Sequence, residues 1–258
     1  MKHLFDVPGV VFILGIDRTQ LHHSIRALYG SGFDAFGYLR RFIDLDYYLP
    51  EPKVGNYSSF LFKRFNIEEL VLRRNTQNTR DELTNLKNYL GYLMSASRMS
   101  LRAQEQMIAR LRIVLQTISA REYLLEIPLC ILLFLREWDH NVYTSLLEDN
   151  MSIEVVLTKI ENLPGMKEAS NVYSEISDDY IFEAYLIAGA RELNLKSTQV
   201  DRYEAFIKSG LIESESEKFN RIHGIIAYIS RLGGSGFKTT AKRLALTNNF
   251  VAYDEIEK

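Results

Sequence analysis

The sequence has one cysteine, five prolines and one tryptophan in 258 residues. A single thiol builds neither a disulfide framework nor a cysteine-rich zinc site. Cys130, inside Ile127-Pro-Leu-Cys-Ile-Leu-Leu-Phe-Leu135, reads as a reduced, buried side chain suited to a cytoplasmic location. Charge of one sign is also lacking, with 31 Lys and Arg against 33 Asp and Glu and a formal net charge of −2. No global basic field selects a nucleic-acid partner, which only a local patch could meet. Long apolar runs are missing too. Ile127 to Leu135 falls short of the ~20 residues that span a bilayer, and Glu126, Arg136 and Glu137 bracket it, so a core helix is expected and no membrane span. The opening MKHLFDVPGVVFILGIDR starts basic and turns apolar, but Asp6, Pro8 and Gly9 interrupt it and no small-residue cleavage site follows, so a secretory leader is not expected. Internal repeats and low-complexity tracts do not occur. What is present, 47% hydrophobic and 25% charged residues, suffices to bury a sizeable core in one large domain or two smaller ones.

The most informative stretch is Val10-Val-Phe-Ile-Leu-Gly-Ile16, an unbroken apolar run introduced by Pro8-Gly9 and closed by Asp17-Arg18. A strand apolar on both faces belongs in the middle of a parallel sheet covered by helices. Thr19 to Leu28 then has helical spacing, with Leu21, Ile25 and Leu28 on one face, and Tyr29-Gly-Ser-Gly32 stops it. Phe36 to Arg41 leads into Phe42-Ile-Asp-Leu-Asp-Tyr-Tyr-Leu49, which alternates and ends at Pro50-Glu-Pro52, giving strand, helix, strand. Two strands are too few to make the first one central. Exposing its large side chains forfeits ~1.5–3 kcal/mol each, so further strands are expected before Met1, and Lys2-His-Leu-Phe5 reads as the last turn of a helix.

These residues carry a resemblance. MKHLFDVPGVVFILGIDRTQLHHSIRALYG followed by YLRRFIDLDYYLPEP resembles the second half of the P-loop domain of KAP-family NTPases, a group that includes neuronal ankyrin-repeat scaffold proteins and plasmid phage-exclusion proteins. The likeness is specific over the first fifth of the chain. It implies that the phosphate-binding G-x-x-x-x-G-K-[ST] loop and the acidic metal-site strand come earlier, and neither is in this sequence. It further implies that Val10 to Ile16 follows the acidic strand, with Asp17 and Arg18 at its C-terminal end, where ligands sit in open parallel sheets.

A glycine-rich stretch near the C-terminus, Arg231-Leu-Gly-Gly-Ser-Gly-Phe-Lys-Thr-Thr240, invites comparison with a phosphate loop. Such a loop needs its last glycine directly before the lysine, so that backbone N–H groups wrap the phosphates. Phe237 stands between Gly236 and Lys238 and breaks that spacing. The plainer reading is a capping turn between two helices. A sharper one is a helix-turn-helix using Thr239 to Thr247, with Arg221, Arg231, Lys238, Lys242 and Arg243 on nucleic-acid phosphates.

From Asn56 onward the period is helical. Helices are expected over Ser58 to Phe65, Arg80 to Ser95, Ser100 to Ile118, Tyr123 to Trp138, Ile153 to Ile160, Asp179 to Ala190 and Lys218 to Arg231, the clearest starting at the Ser100 N-cap. The expected fold is an α/β remnant of a parallel P-loop NTPase sheet, two strands, followed by a mainly helical region, predominantly α overall. Residues 1–53 are expected to be the α/β part, 54–165 a lid-like bundle and 166–258 a C-terminal helical segment, with a hinge at Pro50 to Gly55. By the resemblance such a bundle acts as a lid, and Arg102 is the candidate arginine that reaches a nucleotide. His22 and His23, adjacent on one helix, point about 100° apart and supply no metal set.

The leading expectation is therefore the nucleotide-sensing and lid half of an ATP-dependent switch, with Asp17, Arg18 and Arg102 as sensing residues. By the same resemblance ATP and Mg²⁺ enter only with a missing N-terminal half as partner, and the chain alone does not hydrolyse ATP. The rival is a helical protein-interaction module indifferent to nucleotide. A DNA-binding regulator is the third reading.

Overall fold

The computed structural model describes residues 9–43, 45–48, 55–74, 79–119, 122, 124–148, 152–173, 176, 180–193, 195, 197–209, 216–231 and 236–247. The chain divides into two compact units, Met1–Glu51 and Pro52–Lys258.

In the first unit, Gly9 to Asp17 runs without regular secondary structure into α1 (Arg18–Tyr29). Asp17 is the N-cap, its carboxylate accepting the Gln20 N–H at 3.0 Å. Gly30 ends the helix at φ 100, a conformation that costs glycine little, and returns its N–H to the Arg26 carbonyl. Asp34 caps α2 (Ala35–Leu39) through the Gly37 N–H at 2.9 Å. The apolar core here is small, with Ile25, Ala35 and Leu39 buried and Leu21, Phe33, Tyr38 and Ile43 packed around them.

The expected two-stranded sheet is not there: among the described residues the chain is helical, with no strand. Val10 to Ile16 forms no regular secondary structure, and its large apolar side chains are exposed, Val11 at 87% and Ile13 at 92%. A strand exists only through the ladder it forms, and among the described residues no ladder forms on this segment. The second expected strand fails for a different reason. Asp34 starts a helix where an extended approach was read, and Phe42 and Ile43 close it by donating their N–H groups to the Leu39 carbonyl at 3.0 and 3.2 Å. Asp44 and Leu49 of that strand, the Lys2 to Phe5 helix end, and residues 50–54 of the expected hinge lie outside the described residues.

The second unit is helical throughout its described length. Its helices are α3 (Asn56–Arg64), α4 (Ile67–Leu72), α5 (Thr79–Ala96), α6 (Leu101–Thr117), α7 (Glu126–Trp138), α8 (His140–Leu147), α9 (Ile153–Glu161), α10 (Met166–Val172), α11 (Ile181–Leu193), α12 (Thr198–Ser209), α13 (Ser216–Arg231) and α14 (Phe237–Leu246). One continuous core runs from Leu61 on α3 to Leu244 on α14. α7 is its axis. Every residue from Ile127 to Arg136 is buried, because α5, α6, α8, α11 and α14 pack around it, as expected of a helix apolar on all sides. Pro128 sits in its first turn, where a missing N–H breaks no helical bond. Cys130 is fully buried there, and burial pushes its thiol well above the usual range, so it is not a nucleophile.

Candidate functional site

In the first unit, Arg18 opens α1 and its side chain is partly buried. Nη1 donates to the Asp46 carboxylate at 2.9 Å and to the Tyr48 hydroxyl at 2.7 Å. The cation lies 4.3 Å from the Phe36 ring centroid, and Arg40 approaches the same ring at 4.7 Å. His22, one turn along α1, meets Phe36 edge-on at 5.5 Å. Arg18 Nε and His22 Nε2 are both buried with no hydrogen-bond partner among the described residues. Asp17, beside Arg18 in sequence, is engaged in capping. Arg18 is thus a carboxylate-holding cation with donor capacity left over.

Arg102 belongs to the second unit. It lies exposed in the first turn of α6, whose N-cap Ser100 accepts the Ala103 N–H. No acidic residue shares that turn.

Asp46, Tyr48 and Phe36 were not among the residues the sequence singled out for a role. Arg18 and Asp46 are 28 positions apart, and no local spacing couples them. Opposite charge was the sole signal, and it is common to many pairs.

Of the glycine-rich stretch, Arg231 and Gly236 to Thr240 are among the described residues, and 232–235 lie outside them. Gly236 adopts φ 74 as the N-cap of α14, and a Cβ there would stand 2.2 Å from Leu125 Cδ1. Phe237 is 1% exposed and packs on Gly189 of α11, where an added Cβ would meet its ring at 2.7 Å. The N–H groups of Gly236 and Lys238 go to the two carboxylate oxygens of Glu192, at 3.1 and 3.2 Å. An internal carboxylate therefore takes the donors that a phosphate would need. At the opposite end Arg136 Nη1 donates to the Leu244 carbonyl at 2.7 Å, and Arg110 Nη1 reaches the Thr247 carbonyl at 3.4 Å. α14 is a docked structural helix, clamped by an anion at its N-terminus and cations at its C-terminus. Of the cations considered for nucleic-acid contact, Arg243 pairs with Glu122, and that hydrogen bond holds the Glu122 carboxyl below its usual range. Lys238 and Lys242 are exposed.

Elsewhere the charged groups of this unit are structural. Arg74 and Glu82 form a buried pair at 2.8 Å, each side chain 4% exposed, and Arg74 also donates to the Glu122 carbonyl. Burial pushes the Glu126 carboxyl up against the opposing hydrogen bond from Asn85, at 2.7 Å. Among the described residues no group of three or more His, Cys, Asp and Glu converges as a metal site, and no helix is long and apolar enough to cross a membrane. The described residues do not fit a Mg-triphosphate on their own: Glu192 fills the only glycine-led helix terminus weighed as a phosphate loop, and Arg18 and Arg102 alone make no cradle.

Comparison with curated proteins and with solved structures found no match. Comparison with protein-family models found one whose extent includes Asp17, Arg18 and Arg102 and ends where α6 ends. Residues 1–118, less than half of the chain, match the model of the KAP family P-loop domain.

Proposed function

We propose that the chain is the sensing and lid part of a KAP-type ATP-dependent switch whose phosphate loop and metal-binding acid come from another polypeptide or segment. One observation carries this reading. The first unit leaves Val10, Val11, Phe12, Ile13, Leu14 and Ile16 exposed in a stretch without regular secondary structure while burying only Ile25, Ala35 and Leu39 among its described apolar residues. That stretch feeds directly into a capped helix bearing Asp17 and Arg18. Apolar side chains left exposed in this number mark a surface that another segment covers.

In this reading the covering segment also lies beside Asp17 and Arg18, which follow the stretch directly. Arg18 already grips one anion, Asp46, and its Nε is unsatisfied, so its chemistry suits an oxyanion. Arg102 is the second candidate contact, supplied by the helical region. The family match suggests ATP with Mg²⁺ as the ligand; phage exclusion is the biological role that the family resemblance offers.

The test is isothermal titration of Mg-ATP into the full chain, alone and mixed with a polypeptide carrying the phosphate loop and acidic strand of a KAP-family P-loop domain. The reading expects binding only in the mixture, lost on Arg18→Ala and weakened on Arg102→Ala. Micromolar binding and turnover by the chain alone would overturn it. Complex formation with no nucleotide response would favour a protein-interaction module instead.

A further inference from the structure

Arg18 and His22 stand one turn apart on α1, and the Phe36 ring lies against both, its centroid 4.3 Å from the guanidinium carbon and 5.5 Å from the imidazole centroid. A guanidinium carries five donors in a planar fork. Nη1 is spent on Asp46 and Tyr48. Nε is buried with no hydrogen-bond partner among the described residues, and Nη2 makes no bond to them either. The Nε–Nη2 edge, which takes two oxygens of one anion side by side, is therefore free. His22 Nε2 is a second buried atom without a partner among the described residues. Positions four apart on a helix share a face, so both orphans belong to one cluster. Buried polar atoms are normally partnered, and two without partners beside one ring mark a missing acceptor.

The number of donors selects among oxyanions. A carboxylate has two oxygens, and the guanidinium edge uses both. A phosphate monoester has three terminal oxygens, two for that edge and one for His22 Nε2, which donates in one neutral tautomer and in the cation. Charge agrees with this choice. Arg18 and Arg40, whose guanidinium lies 4.7 Å from the same ring, stand against the one carboxylate paired with Arg18, that of Asp46, while the Asp17 carboxylate is engaged by the Gln20 N–H. We infer that Arg18 and His22 form a site for a terminal phosphoryl group, with His22 as a binding residue. Phe36, whose ring is 40% exposed, lies over the pair and turns aside to admit the group. That the phosphoryl group belongs to a nucleotide rests on the switch reading above; the site itself does not.

The test is a saturation-transfer NMR titration of the full chain alone, at constant ionic strength, reading the methyl protons of methyl phosphate, methyl sulfate and dimethyl phosphate. Methyl phosphate is expected to bind saturably with a Kd on the order of 1 mM. Methyl sulfate has the same charge as dimethyl phosphate and one more free oxygen, and is expected to bind about fivefold more tightly than it. His22→Phe, which keeps a ring against Phe36 and removes the donor, should weaken methyl phosphate about fivefold, and His22→Gln, whose amide restores a donor, should recover part of the loss. Arg18→Lys, which keeps the charge and removes the fork, should weaken it about tenfold with the far-UV circular dichroism unchanged. No saturable binding of methyl phosphate, equal binding of methyl sulfate and dimethyl phosphate, or full affinity in His22→Phe would overturn the proposal. Methyl phosphate binding of this pattern, with no Mg-ATP response in the complemented chain, would uphold the site and remove the switch reading.

Discussion

Arg74 and Glu82 show how much one side chain can matter in the helical unit. Two charges taken out of water gain from each other about what desolvation costs, so the pair itself adds little. Losing one partner is a different matter, because the other stays buried. Glu82→Leu is therefore expected to destabilise the chain by ~3–5 kcal/mol, read from urea denaturation. Glu168→Gln, which breaks the exposed pair with Arg98, should cost no more than ~1 kcal/mol. Similar losses in the two variants would mean that water reaches Arg74. Asp139 gives a pH signature. Its carboxyl is held below the usual range chiefly by a hydrogen bond from Lys159, which outweighs partial burial, with the Val142 N–H helping. Because the folded value lies below the unfolded one of about 3.9, this contribution is fully present above about pH 4 and is lost as pH falls through the folded value. Asp139→Asn preserves the cap of α8 and removes the charge. It should be less stable than wild type at about pH 7, and the gap should close in strong acid; a gap constant down to about pH 2 would contradict the assignment.

At the scale of single elements, α14 decides the meaning of the glycine-rich stretch. Phe237, seated on Gly189 and buried, is an anchor, and Phe237→Ala is expected to cost ~3–5 kcal/mol by urea denaturation. Lys238 is exposed and its backbone is bound to Glu192, so Lys238→Ala should change stability by less than ~0.5 kcal/mol and leave nucleotide binding by the complemented chain untouched. A large loss of nucleotide binding in that variant would restore the phosphate-loop reading. The contrast between elements also shows what the sequence can express. The long helices α5, α6, α7, α11 and α13 lie where the 3.6-residue period places them, since burial of one face is a local pattern. α2, α4, α8, α10 and α12 had no such reading: they are shorter, and their few apolar positions make sense only beside the neighbours they pack on. Val10 to Ile16 reads as a strand from its composition, yet no strand forms there, because pairing depends on a second segment. For the candidate site, Asp17 and Arg18 stood out by following that run, whereas the Asp46, Tyr48 and Phe36 surround of Arg18 arises from tertiary contact and left no trace in spacing.

For the whole molecule, the two units differ sharply in self-sufficiency. The core of the second extends across α3 to α14, ample for a domain of its size. Residues 52–258 expressed alone should keep their helical circular dichroism and unfold in one cooperative transition; a broad, non-cooperative melt would contradict this. The first unit's few buried side chains cannot offset the ~1–2 kcal/mol per residue lost on ordering its backbone, and its exposed apolar stretch is the surface on which a partner would act. The most direct measurement of that claim is amide hydrogen exchange across residues 10–16 in the full chain, with and without a polypeptide bearing the phosphate loop and acidic strand of a KAP-family P-loop domain. The account predicts fast exchange in the chain alone and strong protection of these amides once the partner polypeptide covers the stretch. Exchange that stays fast in a mixture shown to form a complex would contradict it.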